Sequence, residues 1–420
     1  MSRQRSSIFW LLATIVALCP LLVGLALVLL FLSSGFSILS VFNMPTTGIS
    51  YPPELLDGNE DRLANLVVVS LPLSPAWEYQ APGPIDRPPL YHTGHVVLTG
   101  DMSFWAVNAS SGAEEWRYSS THRIDASFSD DVHVLDNAVA FRMLPSSGPL
   151  HAIDLQTGHD RWQTPMAVRG FDSDSQSRLF VVSTNQDRVA KEYQALDAAS
   201  GQVIWVSTVQ PEGRSGFVVY DSYAHGLYVW DATGATFVVL DSQTGSLIRR
   251  LDNELLSHAN SVFTNDGIFY AEDSRPDRLF AVDSRENKLL WSKNYSLSWS
   301  MFKPIVHEDV LYTRTSQETL LAIDRHTGNI RWQYPSSPDP SGSTRLLSNL
   351  VVLDGVLYGI FSDAGLRGFD LVAGQEIGHI QFVDVSDVSY DVTVPGLAAS
   401  EDMLFVSLGK TKLYAFKTIH

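Results

Sequence analysis

One short phrase of sequence recurs along this chain, and it confines what the chain can fold into. Residues 151–162 read H-A-I-D-L-Q-T-G-H-D-R-W. Ala322, Ile323, Asp324, Thr327, Gly328 and Trp332 keep the same spacing, as do Ala195, Leu196, Asp197, Ser200, Gly201 and Trp205. Ala106, Val107, Asn108, Gly112 and Trp116 repeat it with Asn for Asp, and Ala281, Val282, Asp283 and Trp291 repeat it with Asn287 for Gly. Two copies lack the Trp: Asp241 and Gly245 are followed by Arg249, and Asp370 and Gly374 by Gly378. The chain closes on a half copy, Tyr414, Ala415, Phe416 and Lys417.

The residues before the Asp alternate as a strand does. The carboxylate accepts backbone N–H groups of the turn that follows. Gly four residues on supplies the positive φ of a tight hairpin, and Asn is the next best residue there. A second strand then begins and carries the Trp. Two places before the Asp, every copy but Val239 has Ala or Gly, small enough to admit the Trp. This is a structural hairpin rather than a catalytic loop.

The Asp positions are 108, 154, 197, 241, 283, 324 and 370, with Lys417 in the closing copy, so the steps are 46, 43, 44, 42, 41, 46 and 47 residues. A period in the forties with strand patterning indicates propeller blades. Turns before an inner strand give an independent count: Thr93-Gly94, Asp136-Asn137, Ser177-Arg178, His225-Gly226, Asp266-Gly267, Glu308-Asp309, Asp354-Gly355 and Glu401-Asp402. Both counts predict an all-β, eight-bladed β-propeller of four-stranded antiparallel blades over residues 73–420. Residues 74–79 resemble a second hairpin strand without its first, and residues 412–417 a first strand without its second. Pairing the two would close the ring and remove two open edges.

The phrase A-x-D-x-x-T-G-x-x-x-W resembles the quinoprotein (PQQ-like) β-propeller repeat, over about residues 73–417. The resemblance implies a docking girdle of Trp77, Trp116, Trp162, Trp205, Trp291 and Trp332, with Gly112, Gly158, Gly201, Gly245, Gly328 and Gly374 at the turns. Its members include PQQ-dependent alcohol dehydrogenases and non-enzymatic scaffolds of the BamB type. The dehydrogenases hold their quinone under adjacent cysteines, beside a calcium and a catalytic Asp. The one cysteine here, Cys19, lies in an apolar leader, and no segment matches those ligands. The chain is therefore closer to the scaffolds, with no cofactor, metal or catalytic residue expected.

The formal net charge is -17, which argues against nucleic acid, whose phosphates it would repel. Residues 1–7 carry Arg3 and Arg5, and residues 8–32 carry no charge. Those 25 residues exceed the roughly 20 that span a bilayer as a helix. No Lys or Arg follows until Arg62, so the positive-inside rule keeps residues 1–7 cytoplasmic and exports the rest. The expectation is one transmembrane signal anchor at residues 8–32, a stalk at 33–72 with a short ordered piece at 66–71, and a monomeric extracytoplasmic propeller at the cell membrane. A cleaved signal ending at residues 33–35 is the alternative.

Other motifs point to little chemistry. His92 and His95 lie about a turn without a third ligand, and the runs Asp172, Asp174 and Asp384, Asp387, Asp391 lack a calcium-loop pattern. Gly409, Lys410 and Thr411 imitate the end of a P-loop whose leading Gly is Leu404. Asn108 and Asn294 open glycosylation sequons. The reading is a non-catalytic module that binds protein or peptide on one face, with Arg169, Asp172, Tyr220, Trp299 and Lys303 at the funnel mouth. A quinoprotein oxidoreductase and the ectodomain of a sensor or envelope complex remain the alternatives.

Overall fold

The computed structural model describes residues 66–69, 71–125, 132–144, 148–185, 189–211, 218–222, 225–231, 236–251, 259, 261–273, 278–295, 297, 303–317, 319–335, 345–363, 365–382, 395–408 and 411–419. The leader at residues 8–32 and most of the expected stalk lie outside them, as do Asp384, Asp387, Asp391, Gly409 and Lys410. Among the described residues every regular element is a β-strand. No helix among them is long and apolar enough to cross a membrane.

The repeated phrase forms a hairpin for the reasons its residues suggest. Asp154 Oδ1 accepts the amides of Gln156 and Thr157 at 3.0 and 2.9 Å and the Thr157 hydroxyl at 3.0 Å. Gly158 then turns at φ 69°. Asn108 does the same work through its own Oδ1, which takes the amides of Ser110 and Ser111 at 3.1 and 3.2 Å. Asn287 adopts φ 52° where the other copies have Gly. One inner turn departs from expectation. Arg178 already belongs to a strand, and the turn sits earlier, where Asp174 Oδ1 gathers the amides of Gln176, Ser177 and Arg178 at 2.8–2.9 Å.

Strands pair antiparallel within seven hydrogen-bonded sheets among the described residues: five of four strands, one of five and one of eight. In a typical sheet Leu90–His92, His95–Gly100, Ser103–Asn108 and Glu114–Ser119 follow in order. The eight-stranded sheet arises from the long strand Asp160–Ser173. Its first part pairs with Pro149–Asp154 as an outer strand, and its second part pairs with Arg178–Thr184 as an inner one. In the five-stranded sheet Leu66–Val69 pairs with Glu376–Phe382.

One sheet is built from both ends of the described chain. Leu73–Gln80 pairs with Lys412–Thr418, with Leu73 opposite Thr418 and Gln80 opposite Lys412. Hydrophobic clusters fill the spaces between successive sheets. One joins Tyr358, Leu366 and Phe382 to Leu404 and Phe416 of the closing sheet. Another joins Phe405 and Leu413 of that sheet to Val96, Leu98 and Trp105 of the first. The packing therefore returns on itself. The first strands of neighbouring sheets also lie side by side, as Val218–Asp221 does between Asp160–Ser173 and Ser261–Asn265.

Candidate functional site

Two constructions recur or converge on this scaffold. The first is a girdle. In each intact copy the Trp sits opposite the small residue of its own hairpin: Ala152 opposite Trp162, Ala195 opposite Trp205, Ala322 opposite Trp332. Its indole then reaches into the next copy. Trp116 Nε1 donates to the Leu155 carbonyl at 2.6 Å, and Trp162 Nε1 to Ala198 O at 2.9 Å. Trp77, Trp205, Trp291 and Trp332 donate likewise to Ala109, Ser242, Arg325 and Leu371 at 2.8–3.1 Å. The ring face lies on the turn glycine of that next copy, where a Cβ on Gly158 would stand 2.6 Å from Trp116 Cε3. Gly112, Gly201, Gly245, Gly328 and Gly374 face Trp77, Trp162, Trp205, Trp291 and Trp332 in the same way.

Arg249 spans the same joint differently. It sits opposite Val239, and its Nη1 donates to the carbonyls of Ser284 and Arg285 at 2.8 and 2.7 Å. The turn it reaches is the one with Asn287, so the lost Trp and the lost Gly lie on two sides of one joint. A second tie between copies had a sequence signal, Trp-x-Tyr. Tyr79 donates to Glu114 Oε2 at 2.5 Å, and Tyr334 to Glu376 Oε2 at 2.9 Å. Burial and the nearby Asp160 carboxylate push the Tyr118 phenol up to about 12.

The second construction is a polar cluster on inner strands. Asp172 Oδ2 accepts the Tyr220 amide at 2.8 Å, and its Oδ1 lies 3.8 Å from His133 Nδ1. His133 Nδ1 is also 3.0 Å from Ser173 Oγ, and its ring packs on Phe171 at 4.8 Å. The Tyr220 ring stacks on Phe180 at 5.2 Å, and its carbonyl accepts from Thr264 Oγ1 at 3.3 Å. Burial, then the carboxylates of Asp174 and Asp221, push the Tyr220 phenol up. Behind them the buried Arg142 lies 3.4 Å from Asp125 Oδ2, stands over Phe171 at 5.7 Å, and donates to the Arg169 carbonyl.

Asp172 and Tyr220 are thus brought together, with His133, Ser173 and Phe180 as neighbours that sequence reasoning missed. Inner strands are short and mark themselves only by the turn that follows, which gives a weak signal for His133. Arg169 is the extra residue of a bulge between Val168 and Gly170. Lys303 is half-buried just before Ile305–His307, in a different sheet, and Trp299 lies outside the described residues. Ser173, His133 and Asp172 do not form a nucleophilic relay. Such a relay needs the nucleophilic hydroxyl and the orienting carboxylate on opposite ring nitrogens of the base, and here both oxygens face Nδ1.

His92 and His95 serve separate neighbours. His92 Nε2 lies 2.8 Å from Asp136 Oδ1, while His95 Nδ1 lies 2.5 Å from Glu115 Oε2. Among the described residues no group of three or more His, Cys, Asp or Glu is placed to hold a metal ion. A quinone site of the cysteine-lidded type does not fit this chain, whose one cysteine is Cys19.

A closed, all-β propeller built from repeated tryptophan-docked hairpins is the class that these features define. The profile of the PQQ-like repeat family described as outer membrane protein assembly factor BamB matches residues 74–246 and 190–418, and the chain belongs to that family. Outer membrane protein assembly factor BamB of Shewanella oneidensis is 26% identical over 273 residues, which cover 60% of this chain and 62% of that protein. Quinohemoprotein alcohol dehydrogenase of Comamonas testosteroni is 29% identical over 150 residues, 33% of this chain and 21% of that enzyme. The chain thus spans under two thirds of each. The crystal structure of BamB from Moraxella catarrhalis superposes with a TM-score of 0.54 at 16% identity, over 83% of this chain and 98% of that one, which shows the fold.

Proposed function

We propose that this protein is a membrane-anchored, extracytoplasmic scaffold that binds protein or peptide on the inner-strand face of an eight-bladed propeller, without catalysis. The observation that carries the reading is the ring-wide match to the assembly-factor family. The His133, Asp172 and Tyr220 cluster gives the binding face its chemistry. By this reading the partner belongs to outer-membrane assembly, as the relative's name suggests. Eight blades are supported by treating the two parts of Asp160–Ser173 as strands of successive blades, which divides the eight-stranded sheet in two. The anchor rests on the uncharged residues 8–32 behind Arg3 and Arg5.

Crosslinking in intact cells, followed by detergent solubilisation and pull-down, tests the binding role. A polypeptide captured by the wild type and lost with Tyr220→Ala and Asp172→Ala, at unchanged melting temperature, supports it. Capture indifferent to both substitutions removes the inner face from the account. Uptake of quinone with calcium by the purified protein would instead favour an oxidoreductase. For the anchor, protease on spheroplasts, whose outer membrane has been opened, is expected to cut within residues 54–62 and shed the propeller. A mature chain beginning near Phe36 would replace the anchor with a cleaved signal.

A further inference from the structure

The copy containing Asp370 departs from its siblings at two facing positions. Gly368 stands where six copies have Ala106, Ala152, Ala195, Ala281, Ala322 or Ala415, and Gly378 stands where the same six have Trp. The two glycines are cross-strand partners. The space above Gly368 is not empty. A Cβ on Gly368 would come 2.5 Å from Leu71 Cδ2, so an alanine there would make the Leu71 side chain shift. Leu71 is 5% exposed and packs in one cluster with Leu73, Tyr358, Phe382 and Tyr414. Just before it, the backbone of Leu66–Val69 runs antiparallel along residues 379–382. Among the described residues, Glu376–Phe382 is the outer strand of a hairpin that gains a further partner, and no charged residue occurs from 63 to 77.

The ring's closure explains the exception. Elsewhere each Trp docks on the turn of the next hairpin. The hairpin after Gly378 has no turn, because its strands are Leu73–Gln80 and Lys412–Thr418 from opposite ends of the propeller. The chain ends meet there instead, with the Ile419 amide donating to Pro72 O at 3.0 Å. A Trp at 378 would have no glycine to cover.

We propose that the outer edge of Glu376–Phe382 and the notch over Gly368, opposite Gly378, form a strand-acceptor site. Its ligand class is an extended, uncharged segment followed two residues later by leucine. The chain's own Leu66–Val69 and Leu71 are its resident occupant. The segment entering the propeller is thereby latched to the ring beside the seam, and the latch covers an edge that would otherwise pair with foreign strands. Its length of tether to the ring is then set at residue 66, not at residue 73.

Amide hydrogen exchange on the full-length protein in detergent tests this. In the wild type, amides within 66–69 are expected to be protected together with those of 379–382. Leu71→Asp and the milder Leu71→Ala should each speed exchange of both segments, the former by at least about tenfold, while 403–407 stays protected. Gly368→Ala should do the same without adding charge, by evicting Leu71. Exchange of 66–69 at the rate of unstructured chain in the wild type, or unaltered protection in Leu71→Ala and Gly368→Ala, would overturn the proposal.

Discussion

A turn glycine in this protein answers two demands at once. At Gly201 the backbone holds φ 70°, and a Cβ would stand 2.6 Å from Trp162 Cδ2 of the preceding copy. Gly201→Ala therefore strains the turn and lifts the indole off its carbonyl, at a cost of about 1–3 kcal/mol. Trp162→Ala should cost about 3 kcal/mol, as other large-to-small changes do. Chemical denaturation should show the pair to be less than additive, since both act on one contact. Arg249→Ala loses two partly exposed hydrogen bonds and should cost about 1 kcal/mol. Equal losses for Arg249→Ala and Trp162→Ala would reject this ranking. The sequence made the φ demand visible, because Asn287 substitutes for Gly at that place. It hid the second demand, because the Trp that covers each Gly is written some forty residues earlier.

Hairpins are the elements that carry the acid sensitivity. Burial pushes the Asp324 carboxyl up, but hydrogen bonds from Arg331, the Thr327 hydroxyl and the amides of Thr327 and His326 outweigh it and leave the group at about 2. Its folded pKa lies below the ordinary 3.8, so its contribution to stability is fully present above about pH 4 and is lost as pH falls through about 2. Asp154, beside Arg161, is lowered in the same direction. Asp324→Asn keeps an acceptor for the turn, as Asn108 does in the first copy, but loses the charge facing Arg331. Thermal melts between pH 5 and pH 2 should accordingly be flatter for Asp324→Asn than for the wild type, and an identical slope would contradict the assignment. This hairpin was legible residue by residue, since its donors and acceptors all lie within eight positions. The inner strands were less so. The bulge at Arg169 and the earlier turn at Asp174 depend on how one long strand pairs first with Pro149–Asp154 and then with Arg178–Thr184, which no local spacing records.

At the scale of the whole ring, stability depends on a strand contributed from the other end of the chain. Leu73–Gln80 completes the sheet of Lys412–Thr418, and Trp77 extends from it to Ala109 O and Gly112 of the first sheet. The pairing was foreseeable because each half of the hairpin kept its share of the repeated phrase. An ordered piece at 66–71 was expected, but its partner was not, because Leu71 belongs to no repeat and its mark in the sequence is the loss of side chains at Gly368 and Gly378. A protein beginning at residue 82 would lose the closing strand, the Trp77 dock, the Tyr79 bond to Glu114 and the latch together. It would also expose Lys412–Thr418 as an unpaired edge. Single substitutions separate these losses. Trp77→Ala should lower the melting temperature while leaving one cooperative transition, since the strand pairing remains. The truncated protein should instead lose cooperativity, because the packing no longer returns from the last sheet to the first. Adding residues 66–81 as a separate peptide should restore the transition only at high concentration, since tethering supplies an effective concentration on the order of millimolar. A truncated protein that melts in one step at the full-length temperature would show that the ring does not need its terminal strand to close.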